Sequence, residues 1–379
     1  MEIIWNSLGI TGAFIWFAVL LMPWRPWSTR ESLDAVLPSD QEELIEITAL
    51  IPARDEEETI STTIRGLKEQ GTDINIILVD DQSTDGTVKA AQRAGEGKIR
   101  IISGKPLPAG WSGKLWALEQ GLRFVKTPLT LLLDADIEMK PSILVALRNM
   151  MKQNELQFAS LMAELRMKNF WERVLMPAFI YFFKLLYPFR LSNSGYSRVA
   201  AGAGGCILLE TRLLDEMGGF RALREELIDD CALARKVKSM GHKTWIGLTH
   251  SVKSIRRYNN LGTIWNMVTR TAFTQLKYSK ILLILCTAIL LCAFWLPMMV
   301  LIFGTTISRY CASIALCAMI LSYMPTLRFY HMSILWAFTM PLAGMIYLSM
   351  TWGSAIGYWR GKRSQWKGRI YHGSTSRNP

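Results

Sequence analysis

Four apolar runs constrain this chain more than any other feature. Residues 3–22 (IIWNSLGITGAFIWFAVLLM) carry no charged side chain over the length a helix needs to cross a hydrocarbon core ~30 Å thick. Three further candidate spans, 281–303, 310–327 and 333–352, lie together near the C-terminus and are equally free of charge. A chain built this way is expected to be held at a membrane from both ends, with whatever chemistry it performs carried by the polar stretch between.

The first run lacks the basic leader and small-x-small site of a cleaved signal peptide, and bulky Trp24 and Trp27 follow it. An uncleaved anchor over residues 1–24 is therefore expected. Arg25 and Arg30 directly after it place the next segment on the cytoplasmic side by the positive-inside bias, so the expected location is the inner (cytoplasmic) membrane, multi-pass, with a cytoplasmic catalytic domain. The 43 basic against 31 acidic residues, a formal charge of +12, suit an anionic membrane face. Nucleic acid is the competing partner for a basic chain, but no aromatic-basic RNA motif and no zinc-finger spacing is present. Cys206, Cys231, Cys286, Cys292, Cys311 and Cys317 form neither a disulfide framework nor a CxxC metal site.

Between the spans, over residues 43–280, strand-like and helix-like apolar runs alternate, which is the mark of an α/β sheet. Strands are expected at 46–51, 74–79, 99–102 and 129–133, and helices at 56–70, 84–93 and 113–124. Acidic or polar residues follow these strands, and open α/β sheets collect ligands outside the carboxyl ends of their strands. Residues 171–189 (WERVLMPAFIYFFKLLYPF) form a second apolar zone, interrupted by Glu172, Arg173, Lys184 and two prolines. It reads as an interfacial segment, with a buried core helix pair as the alternative. C-terminal spans are expected over 281–352 and a basic tail over 353–379, with Arg360, Lys362, Arg363, Lys367, Arg369 and Arg377 expected to stay cytoplasmic. Three C-terminal crossings would instead leave that tail outside, so the number of crossings and the side of the tail are open.

The strongest chemical signal is LLLDAD at 131–136, where a buried strand ends in Asp134 and Asp136. Two carboxylates at this spacing suit one hard divalent cation, Mg²⁺ or Mn²⁺, together with the phosphates it holds, and such a metal stabilises a departing diphosphate as a Lewis acid. Asp80 and Asp81 in VDDQSTDGT (79–87) end the preceding strand, where paired acids suit a ribose or base edge, while Ser83 and Asp85 read as caps of the next helix. In IPARDEE (51–57), Arg54, Asp55 and Glu56 stand ready for a nucleotide, and Glu57 and Glu58 suit a helix N-terminus. Asp229 and Asp230 in LIDDCAL (227–233) open a helical stretch, and one of them suits the general base that takes a proton from an acceptor hydroxyl. Lys114 follows a glycine, where its ammonium could reach a diphosphate; a solvated lysine at a helix start is the plainer reading. The glycines of AAGAGG (200–205) allow close backbone approach to a substrate, or form a plain turn.

In this order the motifs resemble the family-2 glycosyltransferases of the GT-A fold, matching their IPxxxE, VDDxSxDGT, DxD and E/D-D-xxL patterns. PLPAGWSGKLWALEQG (from Pro106), AGAGGCILLE (from Ala201), LIDDCALARKVK and TRTAFTQLKYS further resemble the hopanoid-associated branch, over most of the chain. The resemblance implies a nucleotide-sugar-binding GT-A-type domain with a mostly parallel sheet, flanked by transmembrane helices. It places Pro52, Arg54, Glu56, Asp80, Asp81, Lys114, Asp134 and Arg270 on the donor, a UDP- or GDP-sugar. It places Asp134 and Asp136 on the metal, Gly204 and Gly205 on the acceptor side, and Asp230 as catalytic base beside Asp229, which stands where many relatives have Glu. The QxxRW pattern of processive relatives is replaced by MVTRT at 267–271, which implies transfer of a single sugar.

The expected activity is thus inverting, metal-dependent transfer of one sugar to a lipid acceptor of hopanoid or polyisoprenoid type. A sugar nucleotidyltransferase is the enzymatic alternative, but it wants a glycine-rich, basic loop after the first strand where this chain has an acidic one. A catalytically inactive lipid-binding scaffold is the other, and buried carboxylates without a ligand would burden its stability.

Overall fold

The computed structural model describes residues 2–35, 42–224 and 226–361, and the backbone of 365–366 and 369–370. Most of the basic tail lies outside the described residues. The chain divides into two compact units. One is α/β and comprises Glu31–Arg166 and Leu191–Arg257; the other is helical and comprises Met1–Arg30, Met167–Arg190 and Tyr258–Lys362. The expected single block 43–280 is therefore divided, with 167–190 and the stretch from 258 onward belonging to the helical unit.

The α/β unit is built on an eight-stranded sheet. Its strands are β1 (Ile47–Ala53), β2 (Asn75–Asp80), β3 (Arg100–Ser103), β4 (Leu129–Leu133), β5 (Ile137–Met139), β6 (Phe158–Glu164), β7 (Cys206–Glu210) and β8 (Thr244–Ser254), in the order β3-β2-β1-β4-β7-β6-β8-β5. Strands β1–β4 are all parallel and lie where the apolar runs place them. Beyond β4 the sheet is mixed, because β7 runs antiparallel to both β4 and β6, and β5 antiparallel to β8. Strand β1 is buried at every position, as expected of a central parallel strand covered on both faces. One apolar cluster lies around Ile47, Ile51, Leu78, Leu131 and Leu161, another around Leu50, Val79, Leu118, Leu132 and Leu209. Alternate residues of β1 feed opposite clusters, as the two-residue period of a strand requires.

Parallel register fixes where the acidic residues emerge. Pro52 pairs with Val79 and Ala53 with Asp80, so Asp80, Asp81 and Arg54 leave the sheet side by side. The antiparallel pairing of Leu133 with Cys206 brings Gly204 and Gly205 against Asp134, whose amide donates to the Gly205 carbonyl.

Among the described residues of the helical unit, four helices are long and apolar enough to cross a membrane: Glu2–Leu21, Lys280–Phe303, Thr306–Phe329 and Ile334–Trp359. The N-terminal helix packs closely through small residues. A Cβ on Gly9 would lie 2.9 Å from the Ser308 carbonyl oxygen, and one on Gly12 2.9 Å from Pro297 Cγ, the close approach small residues permit between apolar helices. Ahead of Pro297, residues Leu291–Trp295 form a π turn; proline has no N–H to continue an α-helical ladder. Trp16 Nε1 donates to the Ala293 carbonyl at 2.7 Å within that turn.

The segment expected to be interfacial, with a buried core helix pair as the alternative, forms a helix, Phe170–Leu186, that buries Val174, Leu175, Met176, Ala178, Ile180 and Tyr181 within the helical unit. Tyr181 Oη shares a 2.8 Å hydrogen bond with Ser322 Oγ, and Tyr347 Oη donates to the Leu175 carbonyl. Of its charged residues Arg173 is exposed, whereas Glu172 and Lys184 are buried. Glu172 closes a capping box with Asn169, and the Lys184 ammonium donates to the Trp27 carbonyl.

Candidate active site

A cleft at the carboxyl ends of β1 and β4 is lined by Pro52, Lys114, Asp134, Gly204, Asp229 and Asp230, over an apolar floor that includes Leu118 and Phe220. Lys114 joins two of the acidic motifs. It enters at the start of the Gly113–Leu122 helix, which Ser112 caps through its hydroxyl. Its Nζ lies 2.8 Å from Asp134 Oδ1 and 3.5 Å from Asp229 Oδ2. Burial alone would lower the Lys114 pKa, but the carboxylates of Asp134 and Asp229 outweigh it and hold the ammonium protonated above its usual range. Burial pushes Asp134 up, against the pull of Lys114 and with the help of the nearby Asp136 charge.

Asp230 opens the Asp229–Ser239 helix and accepts two backbone hydrogen bonds, from the Gly204 amide to Oδ2 and the Cys231 amide to Oδ1, both 2.7 Å. Burial, and next the Asp229 charge, push its pKa up to about 6, although Lys114 and the two amides pull the other way. A carboxylate so placed is a proton acceptor tuned toward neutrality. If Asp230 takes the acceptor proton, turnover should fall about tenfold per pH unit as pH drops below about 6, because the protonated acid has no vacancy for a second proton. A pH–rate profile that stays flat down to pH 4.5 would contradict this.

Gly204 leaves little room for a side chain beside the lysine. An added Cβ would sit 3.0 Å from Lys114 Nζ and 3.4 Å from Asp230 Oδ2. Gly204→Ala is expected to displace the lysine from Asp134 and lower transfer roughly tenfold while the melting temperature changes little; transfer assays beside a thermal melt test both halves.

The second aspartate of LLLDAD is held differently. Ile137 pairs with Ser254 across β5 and β8, and the Ile255 amide donates to the Asp136 carbonyl, which delivers Arg256 to the Asp136 side chain. Arg256 Nε donates to Asp136 Oδ2 at 2.7 Å and an Nη to Glu56 Oε1 at 2.6 Å. Burial would lower the guanidinium's pKa, but the Asp136 and Glu56 charges raise it overall. Arg256 is absent from the residues expected from the sequence. It stands 120 positions from Asp136 and 200 from Glu56, and its only local signal is a basic pair after the β8 run.

The loops after β1 and β2 are bolted together. Ser83 Oγ accepts from the Asp55 amide, Asp85 Oδ2 from the Glu57 amide, Asp55 Oδ1 from the Thr84 amide, and Glu57 Oε2 from the Gly86 amide. Asp85, expected as a cap of the next helix, also accepts from the amide of Thr87, its first residue, through Oδ1. Ser83, expected as a cap, and Glu57, expected to suit a helix N-terminus, serve here as braces, and the helix after β1 starts later, at Ile60. Arg54 Nη1 donates to the Asp81 and Gln82 carbonyl oxygens, so it supports the loop carrying Asp80 and Asp81. Arg270 lies in the helical unit, at the end of the Leu261–Thr269 helix.

Residues 48–218 match the family model described as Glycosyl transferase family 2. This segment is a family 2 glycosyltransferase domain. It runs from β1 past β7 and holds Asp80, Asp81, Lys114, Asp134, Asp136 and Gly204, ending before Asp229 and Asp230. Over 93 residues the chain is 29% identical to 4,4'-diaponeurosporenoate glycosyltransferase of Staphylococcus haemolyticus (strain JCSC1435), covering 24% of each protein. A similar match, 30% over 91 residues, is found to the protein of that name from Staphylococcus aureus (strain USA300). The chain spans about a quarter of the length of these curated relatives. Among solved structures, it resembles mannosyltransferase PcManGT from Pyrobaculum calidifontis, in complex with GDP-Man and Mn2+, with a TM-score of 0.54 and 16% identity over 93% of this chain and 99% of that one. The fold of the glycosyltransferase domain is GT-A-like.

Proposed function

We propose that the protein is a membrane-bound inverting glycosyltransferase that moves one sugar from a nucleotide-sugar donor to a lipid acceptor, with hopanoid or polyisoprenoid-type lipids as the acceptor class. The observation that carries this reading is the convergence of Lys114, Asp134, Asp229 and Asp230 on one cleft, with Asp230 poised near pH 6. The donor is assigned to the carboxyl ends of β1, β2 and β4. There Asp80 and Asp81 take the nucleoside, and Lys114 faces the diphosphate as a cation that burial does not discharge.

In the transfer, the acceptor hydroxyl gives its proton to the Asp230 carboxylate and its oxygen bonds to the anomeric carbon. The bond from that carbon to the diphosphate oxygen breaks, and its electron pair leaves with the nucleoside diphosphate. Charge develops on that diphosphate, where a preorganised ammonium is worth most. Asp229 helps hold Lys114 in place, and Gly204 fixes the base through its amide.

Asp134 and Asp136 fit a divalent ion. Their donors are hard carboxylate oxygens, and the upward push of the Asp136 charge on Asp134 marks a crowding of negative charge that a cation relieves. The metal, Mg²⁺ or Mn²⁺, would supply Lewis-acid stabilisation of the diphosphate when bound. The Mn2+ and GDP-Man of the mannosyltransferase of like fold support a metal and a GDP- or UDP-sugar. The acceptor named for the curated relatives and the four long apolar helices support a membrane acceptor and an inner-membrane, multi-pass placement with a cytoplasmic catalytic domain. Purified protein in detergent, given UDP- and GDP-sugars with lipid extract, is expected to release nucleoside diphosphate only with Mg²⁺ or Mn²⁺ and to stop on adding EDTA. Absence of release with every donor would defeat the reading.

A further inference from the structure

Each acid of the Asp134-Ala135-Asp136 turn already has a cation of this chain against it: Lys114 at Asp134 and Arg256 at Asp136. The two pairs differ. Lys114 sits in the cleft, whereas Arg256 draws Asp136 and Glu56 together from the end of β8. Its side chain is 37% exposed, against 10% for Asp136 and 9% for Glu56. The carboxylates are enclosed, while the arginine side chain that joins them keeps part of its surface in solvent, from which side it can be drawn away.

We infer that Arg256 is a positioning residue that gates divalent-cation binding: it neutralises Asp136 until a nucleoside diphosphate is present, so that metal and donor bind together. This rests on the assignment of Asp134 and Asp136 to the metal. The physical reason is competition for one oxygen. Asp136 Oδ2 receives the Arg256 Nε hydrogen bond at 2.7 Å and a longer one from Ser254 Oγ at 3.4 Å. A cation arriving alone must displace a charge-assisted bond between partly buried groups. One arriving with a diphosphate brings anionic oxygens that complete its own shell and offer the released guanidinium a new partner. The gate keeps two enclosed carboxylates from facing each other uncompensated in the free enzyme, and keeps a metal from settling there without donor.

The test is Mn²⁺ binding to the full-length protein in detergent, read by the electron paramagnetic resonance signal of free Mn²⁺, with and without UDP or GDP. Without nucleotide, Arg256→Met is expected to bind Mn²⁺ at least about tenfold more tightly than wild type, and Arg256→Lys to lie between them. With nucleoside diphosphate the gap should narrow. Equal affinities for wild type and Arg256→Met without nucleotide overturn the gate while leaving the metal reading intact. No Mn²⁺ binding by any variant, with or without nucleotide, overturns both. Thermal melts of each variant, with Arg256→Lys as the charge-retaining control, separate a folding defect from a change in affinity.

Discussion

Asp230→Asn is expected to lower transfer by about 10²–10⁴-fold, the usual contribution of a positioned base, while nucleotide binding stays within a few-fold of wild type. The amide is nearly the shape of the carboxylate, so the cleft survives. It cannot accept the acceptor proton, however, and one of the two oxygens that receive the Gly204 and Cys231 amides becomes an NH₂ facing an N–H. The residual activity should also lose the acid limb near pH 6 that burial and Asp229 give Asp230. Steady-state kinetics across pH, beside titration with UDP or GDP, read both effects. Full activity in this variant removes Asp230 as the base.

Lys114→Met is expected to lower kcat/KM for the donor by about 10²–10³-fold, as when a preorganised partner of a leaving oxyanion is removed. Its second consequence concerns neighbouring charges. Lys114 lowers the pKa of both Asp134 and Asp230, so its loss lets both rise. The acid limb of the remaining rate should then move above pH 6, toward neutrality. Breaking these partly buried ion pairs also leaves Asp134 and Asp229 uncompensated, so the melting temperature should fall. Lys114→Arg restores the charge but not the compact ammonium geometry, and should recover the pH limb more fully than the rate. A variant with wild-type kcat/KM would remove Lys114 from the donor site.

The two variants separate proton transfer from leaving-group stabilisation within one cleft. Asp230→Asn deletes the acid limb, whereas Lys114→Met shifts it. Arg256 acts on neither limb directly, which is why its measurement is metal affinity.

What the sequence determined by itself was local. Apolar runs ending in polar or acidic residues located β1–β4 and the residues leaving them, because a buried strand needs a continuous apolar stretch and the first polar residue after it must emerge at the sheet edge. The charge-free runs located the long apolar helices for an equally local reason, since length and composition alone bear on whether a helix can span. Strands β5–β8 carry weaker patterns, and the antiparallel placement of β7 depends on partners far along the chain. Tertiary structure alone decided that Gly204 would hold Asp230, that Arg256 would clasp Asp136 and Glu56, and that Glu57 and Asp85 would brace two loops. It also decided that the helix Phe170–Leu186 would bury one of its charges, with Lys184 donating to a backbone carbonyl. Such pairings are set by strand register and by helices meeting across long stretches of chain, and no spacing within a motif encodes the distance between a carboxylate and the cation that will reach it.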